Sequence, residues 1–304
     1  MDEESAVLGV DVGGTQIKWV LWSPGAGVLD HGELPTPRSG PPAVLSAVAE
    51  LIGGGTAGVA GVAMPGHLSS DLRAVRLLPN LPGPWEGLPF AAELESRTGV
   101  RVRLVNDARA YALAELTLGA ARGSQDVLFV TMGTGIGGAL ALGGRILRAG
   151  GDRVGELGHM ICRPGGPACG CGSRGCLEAV AGGSALVAAV RAGGGQARTP
   201  EEVVQEAARS DGLERSVLEA AGSALALVLG NVVAYSGVSA VVIGGGVAPA
   251  FAFMRPAVEA ELAARVRLVG RVTLRLAELG SGAGALGAAL AATPSAPHST
   301  NGDI

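Results

Sequence analysis

Residues 7–15 read Val7-Leu8-Gly9-Val10-Asp11-Val12-Gly13-Gly14-Thr15, an apolar run that ends in an acidic residue and a glycine turn. The run predicts a buried β-strand, and Gly13 and Gly14 let the backbone turn tightly and direct N–H groups at phosphate oxygens. Thr15 adds a hydroxyl, and Asp11 is placed to hold Mg²⁺ directly or through water. A plain β-hairpin with an aspartate in its turn explains these residues equally well.

A second stretch, Val127-Leu128-Phe129-Val130-Thr131-Met132-Gly133-Thr134-Gly135, echoes this pattern. Residues 133–138 match a G-x-G-x-x-G dinucleotide motif, but the short run that follows them ends in glycines and predicts a returning strand rather than a helix. We therefore interpret the two turns as glycine hairpins that bind one polyphosphate, with Thr134 and Gly135 in the second. Chance similarity between two apolar strands is the alternative.

A third glycine cluster, Gly244-Gly245-Gly246, follows the apolar run 238–243. Glycines after a buried strand let an adenine ring lie flat against the backbone, which assigns Gly244 and Gly245 to nucleotide binding. A turn that leads into a helix is the competing interpretation.

Short β-rich runs alternate with helical patterns along the chain, which predicts an α/β fold. Thr199-Pro200-Glu201-Glu202 is a capping box with proline at the first helical position, and 106–119 has helical spacing. The predicted strands are Ala6–Val10, Ile17–Leu21, Val59–Ala63, Val102–Val105, Val127–Met132 and Val238–Ile243.

Length and charge narrow the class of protein. The 304 residues allow two domains, and the formal charge of −4 argues against a nucleic-acid partner. The N-terminus lacks the basic region of a signal peptide. The uncharged segment 223–253 could be a membrane span, but its glycines favour a buried helix followed by a buried strand. We expect a cytoplasmic protein without a membrane partner, whose residues 293–304 form a disordered tail.

The run 101–105 ends in Asn106-Asp107, after which a helix is predicted. Either residue could simply cap that helix. In the functional interpretation, Asp107 accepts the proton of an attacking sugar hydroxyl and Asn106 orients the sugar.

Cys169-Gly170-Cys171-Gly172-Ser173-Arg174-Gly175-Cys176 places three cysteines within eight residues, and His159 precedes them. Glycines between the cysteines let the thiolates converge, so these four residues predict a closed Cys₃His zinc site of the structural type. Reduced buried thiols or a disulfide pair are the alternatives, and Cys162 is expected to be a buried thiol. Glu156 and Glu178 flank the cluster, where rigid carboxylates suit vicinal sugar hydroxyls, although solvated surface carboxylates explain them equally well.

The motifs at residues 11–15, 106–108, 133–138, 156–159 and 169–178, taken in this order and spacing, resemble the ROK family of repressors, open reading frames and sugar kinases, especially its bacterial glucokinases. Residues 78–85, Leu-Pro-Asn-Leu-Pro-Gly-Pro-Trp, also resemble the sugar-contacting segment of that family. The resemblance extends from about residue 6 to residue 292.

This resemblance implies an actin-like ATPase (ribonuclease H-like) fold of two α/β domains with an interdomain cleft. It implies Asp107 as the catalytic base, ATP with Mg²⁺ as phosphate donor, structural zinc, and a homodimer. We expect a small N-terminal domain at 1–107, completed by a helix at 280–292, and a large domain at 108–279. The implied sugar pocket consists of Asn80, Asn106, Asp107, Glu156, His159 and Glu178, and the implied zinc ligands are His159, Cys169, Cys171 and Cys176.

Two residues depart from the family pattern. Gln16 stands where many family glucokinases have lysine, and Arg109 stands where asparagine is frequent. The resemblance implies glucose phosphorylation by ATP. N-acetylglucosamine, N-acetylmannosamine, fructose, mannose or allose are alternative substrates, polyphosphate is an alternative donor, and a sugar-responsive regulator without activity is an alternative function.

Overall fold

A computed structural model describes residues 6–55, 57–78, 81–149 and 152–293. The chain divides into two compact units. Among the described residues, the first extends over 6–123, 145–154 and 279–293, and the second comprises 124–144 and 155–278. The sequence placed a domain boundary after Asp107, whereas the structural division falls after Gly123, because the helix that begins at Asp107 packs within the first unit. Residues 294–304 of the predicted tail lie outside the described part of the chain.

The strands are β1 Val7–Val12, β2 Gln16–Ser23, β3 Gly27–Pro35, β4 Val59–Met64, β5 His67–Leu68, β6 Val75–Leu77, β7 Arg101–Asn106, β8 Val127–Met132, β9 Ile136–Leu142, β10 Arg145–Ile146, β11 Ala240–Gly244 and β12 Thr273–Leu276. The α-helices are α1 Pro41–Gly53, α2 Phe90–Thr98, α3 Asp107–Thr117, α4 Leu177–Ala181, α5 Gly183–Ala192, α6 Pro200–Arg209, α7 Leu213–Ser236, α8 Phe251–Ala264, α9 Val266–Val269 and α10 Ala283–Ala292.

The sheet of the first unit has the order β3-β2-β1-β4-β7. β1 pairs with β2 in an antiparallel hairpin, while β1, β4 and β7 are parallel neighbours. The register aligns Asp11 with Ala63, and Met64 with Asn106. The sheet therefore places Asp11 and the Asn106-Asp107 pair at the same edge, the carboxyl ends of parallel strands where α/β folds bind ligands.

Helix α10 packs directly on this sheet through glycines that leave no room for a side chain. A Cβ at Gly9 would lie 2.0 Å from the carbonyl oxygen of Ala285, and one at Gly61 would lie 1.8 Å from that of Ala288. On the other side of α10, a Cβ at Gly287 would meet the carbonyl oxygen of Ala110 in α3 at 1.7 Å. Helix α10 thus packs both on β1 and β4 and against α3.

In the second unit, the sheet order is β9-β8-β11-β12, with β8, β11 and β12 parallel. Helix α7 is long and apolar enough to span a membrane by length and composition alone. Half of its apolar window is buried inside the unit, where Leu218, Leu225 and Leu229 are fully buried in the core. The chain between 213 and 244 is thus a buried core helix followed by a buried strand, as the sequence predicted.

Candidate functional site

The first unit presents Asn106 and Asp107 where β7 ends and α3 begins. Asn106 is the N-cap of α3, since its Oδ1 accepts the backbone N–H of Arg109 at 3.1 Å. Its Nδ2 donates to the carbonyl of Gly66 at 2.9 Å and to Oδ1 of Asp107 at 3.0 Å. Asp107 Oδ1 also accepts the N–H of Ala108 at 2.8 Å. Asn106 therefore both caps the helix and fixes the orientation of the Asp107 carboxylate.

Asp11 lies at the end of β1 and against the first turn of α10. A Cβ at Gly284 would lie 2.3 Å from its Oδ2, so only glycine allows this approach. Burial and, to a smaller extent, the negative charge of Asp107 raise the pKa of Asp11 to about 7, while the charge of Lys18 opposes the rise. A divalent cation at this carboxylate would offset both the cost of burying its charge and the repulsion by Asp107. Asp11 therefore fits the role of a Mg²⁺ ligand.

The first glycine turn is tighter than the sequence suggested. The N–H of Gly13 donates to the carbonyl of Gln16 at 3.0 Å, so it belongs to the hairpin and is not directed outward. Thr36 Oγ1 donates to the carbonyl of Gly13 at 2.7 Å. Gly13 therefore shapes the turn, and Gly14 and Thr15 are left as the candidate phosphate donors.

Arg38 is a residue at this turn that sequence reasoning missed. Its Nη1 donates to the carbonyl of Gly14 at 2.8 Å, which places a cation beside the turn. Gln16, at the position where lysine is frequent, instead donates through Nε2 to Glu33 at 3.1 Å. No local motif marks Arg38, because the contact depends on the approach of the segment after β3.

A buried ionic cluster lies next to the Asp107 helix turn. Arg109 forms a salt bridge with Asp152 and donates to the carbonyl of Val154, and the Arg109 and Asp152 side chains are 5% and 1% exposed. Arg148 Nε lies 3.8 Å from Asp152 Oδ1. Asp152 has φ 74°, a left-handed conformation that is unfavourable for a residue with a side chain. The cluster fixes the segment that precedes Glu156 in sequence.

The predicted sugar residue Asn80 lies outside the described residues. Gly66, whose carbonyl holds Asn106, has φ 78°, and a Cβ there would lie 2.1 Å from the carbonyl of Leu77. The segment just before Asn80 thus packs directly on the loop that positions Asn106.

The second unit brings the four predicted zinc ligands together. Backbone hydrogen bonds from Leu177 to Met160 and from Cys162 to Gly175 fold the cysteine loop back on the turn that contains His159. The ligand atoms of His159, Cys169, Cys171 and Cys176 all lie within 4.8 Å of one another.

Two of the donor distances match a tetrahedral zinc site. Zn–S bonds of about 2.3 Å imply S–S edges of about 3.8 Å. Cys171 Sγ and Cys176 Sγ are 3.7 Å apart, and Cys169 Sγ lies 3.5 Å from His159 Nδ1. All four cysteines are free thiols, which argues against the alternative of a disulfide pair. The donor set thus fits Zn²⁺, with Nδ1 as the histidine ligand.

The two glutamates near the cysteine cluster, Glu156 and Glu178, have defined neighbours. His159 Nε2 lies 3.7 Å from Glu156 Oε2, on the side of the ring away from Cys169. Glu178 Oε2 accepts the backbone N–H of Ile136 at 3.0 Å, and a Cβ at Gly135 would lie 2.0 Å from that oxygen. Glu178 is therefore held by the second glycine turn and is not a solvated surface carboxylate.

That second turn contains Thr134 and Gly135, and it is braced by the start of α5. The N–H of Gly183 donates to the carbonyl of Gly133 at 2.9 Å, and that of Ser184 donates to the carbonyl of Thr134 at 3.1 Å. The third glycine cluster lies at the end of the neighbouring parallel strand. A Cβ at Gly245, which has φ 92°, would lie 2.4 Å from the carbonyl of Met132.

The predicted residues thus form two groups, one in each unit. The first unit gathers Asp11, Gly13, Gly14, Thr15, Asn106 and Asp107 at one sheet edge. The second unit gathers Thr134, Gly135, Glu156, His159, Glu178, Gly244, Gly245 and the three cysteine ligands.

Comparison with known proteins identifies the family. The ROK family profile matches residues 7–294. The chain belongs to the ROK family. This confirms the predicted resemblance. A ROK hexokinase structure from Thermus thermophilus is 37% identical, covers 94% of this chain and 97% of its own, and gives a TM-score of 0.81. A ROK family glucokinase from Streptomyces griseus, solved with glucose and AMPPNP, is 26% identical with a TM-score of 0.81 and covers 95% and 99% of the two chains. The predicted actin-like ATPase fold is therefore confirmed.

Curated ROK relatives include more than one kinase. A glucokinase from Thermotoga maritima is 40% identical over 193 residues, which are 62% of this chain and 60% of that protein. An N-acetylmannosamine kinase from Shigella flexneri is 33% identical over 291 residues, 94% of this chain and 98% of that protein. The chain thus matches about three fifths of the glucokinase and nearly all of the N-acetylmannosamine kinase.

Proposed function

We propose that this ROK protein is a sugar kinase that transfers the γ-phosphoryl group of ATP to a hexose hydroxyl, with glucose as the preferred acceptor. The observation that carries the proposal is the Asp107 carboxylate, oriented by Asn106 at the carboxyl ends of parallel strands. Phosphoryl transfer needs little more than a positioned base and neutralised charge, and this arrangement suits that chemistry.

In the proposed reaction, Asp107 accepts the proton of the attacking hydroxyl as its oxygen bonds to the γ-phosphorus. The bond between the γ-phosphorus and the bridging oxygen breaks, and ADP leaves with that electron pair. Asp11 would hold Mg²⁺, which supplies neutralisation of the phosphate charge when bound. Gly14, Thr15, Thr134 and Gly135 would donate to phosphate oxygens, with Arg38 as an additional cation.

Asn80, Asn106, Glu156, His159 and Glu178 are the proposed sugar ligands. Zinc on His159 Nδ1 would fix the imidazole so that Nε2, near Glu156, is directed at sugar hydroxyls. Glu178 would have two roles, because it also holds the N–H of Ile136 in the second glycine turn. This contact offers a direct link between sugar binding and the nucleotide loop.

The choice of glucose rests on the relatives named glucokinase. N-acetylmannosamine is the second candidate, because the N-acetylmannosamine kinase matches this chain along nearly its whole length. ADP release measured over a panel of glucose, mannose, fructose and N-acetylated hexosamines, with ATP and polyphosphate as donors, tests both choices. Turnover confined to N-acetylated sugars contradicts the glucose assignment. Sugar binding without any turnover supports the regulator alternative.

We also propose a cytoplasmic location and a homodimer. Four cysteines without disulfides suit a reducing compartment. The family resemblance supports the dimer, and the mass of the zinc-loaded protein in solution tests it.

A further inference from the structure

A pocket of about 510 Å³ lies in the first unit, beside strand β7 and the first turn of α3. Its walls include β7, the turn after β5, the segment after β10 and the end of α10. Among its lining residues, six are charged: Asp71, Arg73, Arg101, Arg103, Arg109 and Arg148. The proposed kinase chemistry uses none of these side chains.

Carboxylates satisfy only part of this positive charge. Arg73 is paired with Glu95, and Arg109 and Arg148 share Asp152. Asp71 is engaged by the hydroxyl of Ser69 and the backbone N–H of Arg73.

In the described part of the chain, Arg101 and Arg103 form no salt bridge, although Arg103 Nη1 donates to the carbonyl of Ala291 at 3.3 Å. Five guanidinium groups therefore face three carboxylates.

Buried N–H donors without hydrogen-bond partners add to this excess of unsatisfied positive charge. Arg109 is 4% exposed and lines the pocket, and its Nε has no hydrogen-bond partner among the described residues. Nε of Arg148 is likewise buried without a hydrogen bond there. Buried N–H groups of this kind are costly unless an acceptor satisfies them. In the same cluster, Oδ2 of Asp152 is a buried acceptor without a hydrogen-bond partner among the described residues, but the surplus of guanidinium groups over carboxylates favours a further, anionic acceptor.

We propose that this pocket binds a phosphate group, either as inorganic phosphate or as a phosphate monoester. Guanidinium groups bind phosphate through paired N–H donors, and several of them around one pocket suit a dianion. The volume lies within the range of small-molecule sites, so a monoester fits as well as the free ion. The occupied pocket would adjoin the Asp107 helix turn, since Asn106 holds the backbone N–H of Arg109.

Calorimetric titration of the full-length, zinc-loaded protein with inorganic phosphate tests the proposal. The titration omits sugar, nucleotide and Mg²⁺, and sodium chloride keeps the ionic strength constant. Arg101→Gln and Arg103→Gln remove exposed pocket cations and are expected to leave the fold intact. Each is expected to weaken binding about tenfold, as the loss of one charged hydrogen bond implies.

Arg97→Gln is the matched control, because Arg97 is a partly exposed arginine of the same unit, paired with Glu93 and outside the pocket. Its affinity for phosphate should stay within about twofold of wild type, a change below the effect of one charged hydrogen bond. Undetectable phosphate binding in the wild type, or unchanged binding in both Arg101→Gln and Arg103→Gln, overturns the proposal.

Methyl phosphate, which has no sugar to occupy the proposed active site, distinguishes the two sources. Tighter binding of methyl phosphate than of inorganic phosphate, lost in the same variants, identifies a monoester site. Tighter binding of inorganic phosphate identifies a site for the free ion. Because the readout is equilibrium binding, failure of this proposal is separate from failure of the proposed kinase activity.

Discussion

Asp11 and Asp107 are electrostatically coupled within the first unit. Burial, together with the negative charge of Asp107, raises the pKa of Asp11 to about 7. A carboxyl group with a raised pKa in the folded state stabilises the fold only while it is protonated. Its contribution is complete below the unfolded value of 3.8 and is lost as the pH rises through about 7.

We therefore expect Asp11→Asn to become more stable relative to wild type as the pH rises from 5 to 8. Thermal unfolding of both proteins in Mg²⁺-free buffer measures the difference at each pH. In an Asp107→Asn background, the loss of the stability contribution of Asp11 should occur at lower pH, because the substitution removes a charge that raises the pKa of Asp11. Asp30→Asn, on the exposed strand β3, is the control, and a difference between Asp11→Asn and wild type that is constant with pH contradicts the coupling.

Asp107→Asn should also lose turnover by about two to four orders of magnitude while it retains sugar binding, because general-base catalysis contributes on this scale. Steady-state ADP release and equilibrium glucose titration separate the two quantities. Near-normal turnover rules out Asp107 as the base. Loss of sugar binding together with turnover would indicate that Asp107 acts mainly in binding.

The cysteine cluster predicts about one zinc ion per chain by elemental analysis, as expected for a single four-ligand site. Cys171→Ser should lose the metal and weaken sugar affinity more than ATP affinity, because Glu156 and His159 flank the cluster.

Cys162→Ala is the matched control. Cys162 is half-buried rather than buried as the sequence predicted, and this partial burial raises the pKa of its thiol; it is not one of the four converging residues. Full activity in metal-free protein contradicts the proposed role of zinc in holding the sugar ligands.

Arg38→Gln should raise the KM for ATP several-fold and leave the KM for the sugar nearly unchanged. The reason is that its guanidinium holds the carbonyl of Gly14 and places a cation beside the phosphate turn. Arg97→Gln controls for the loss of one positive charge from the same unit. Equal effects of the two substitutions on the KM for ATP would show that Arg38 acts only through overall charge.

Gly61→Ala is expected to destabilise the protein by about 1–3 kcal/mol or more, the usual cost of overpacking. The new methyl group would lie 1.8 Å from the carbonyl of Ala288 unless α10 moves away. Gly58→Ala is the control, since its Cβ would have no atom within 4 Å. Chemical denaturation measures both, and equal stabilities would contradict the close packing of α10 on β4.

Local patterns predicted the elements that contain the motifs. The run Val59–Ala63 is strand β4, and the capping box at Thr199 starts α6, with Thr199 Oγ1 accepting the N–H of Glu202 at 3.3 Å. Strand β3 was missed, because most of its side chains are exposed and its pairing with β2 defines it rather than an apolar period. Propensity cannot indicate a strand that long-range hydrogen bonds specify.

In the candidate site, too, local spacing predicted some residues and long-range contacts determined others. The cysteine spacing predicted the three converging thiols, because short loops between cysteines restrict where the sulfurs can lie, and His159 was assigned as the fourth ligand from its position before them. Arg38 and Asp152 carried no such signal. Arg38 contacts a carbonyl 24 positions away, and Asp152 pairs with an arginine 43 positions away, so only the fold brings them to the site.

The position of α10 has a consequence for how the protein is made. Residues near 285 and 288 cover Gly9 and Gly61, so the first sheet buries its face only after almost all of the described chain has left the ribosome. Strands β1 and β4 therefore leave the ribosome long before the helix that covers them, and their packing depends on contacts of high sequence separation, which form slowly. Until α10 is available, the nascent N-terminal half exposes the apolar face of β1 and β4 to solvent.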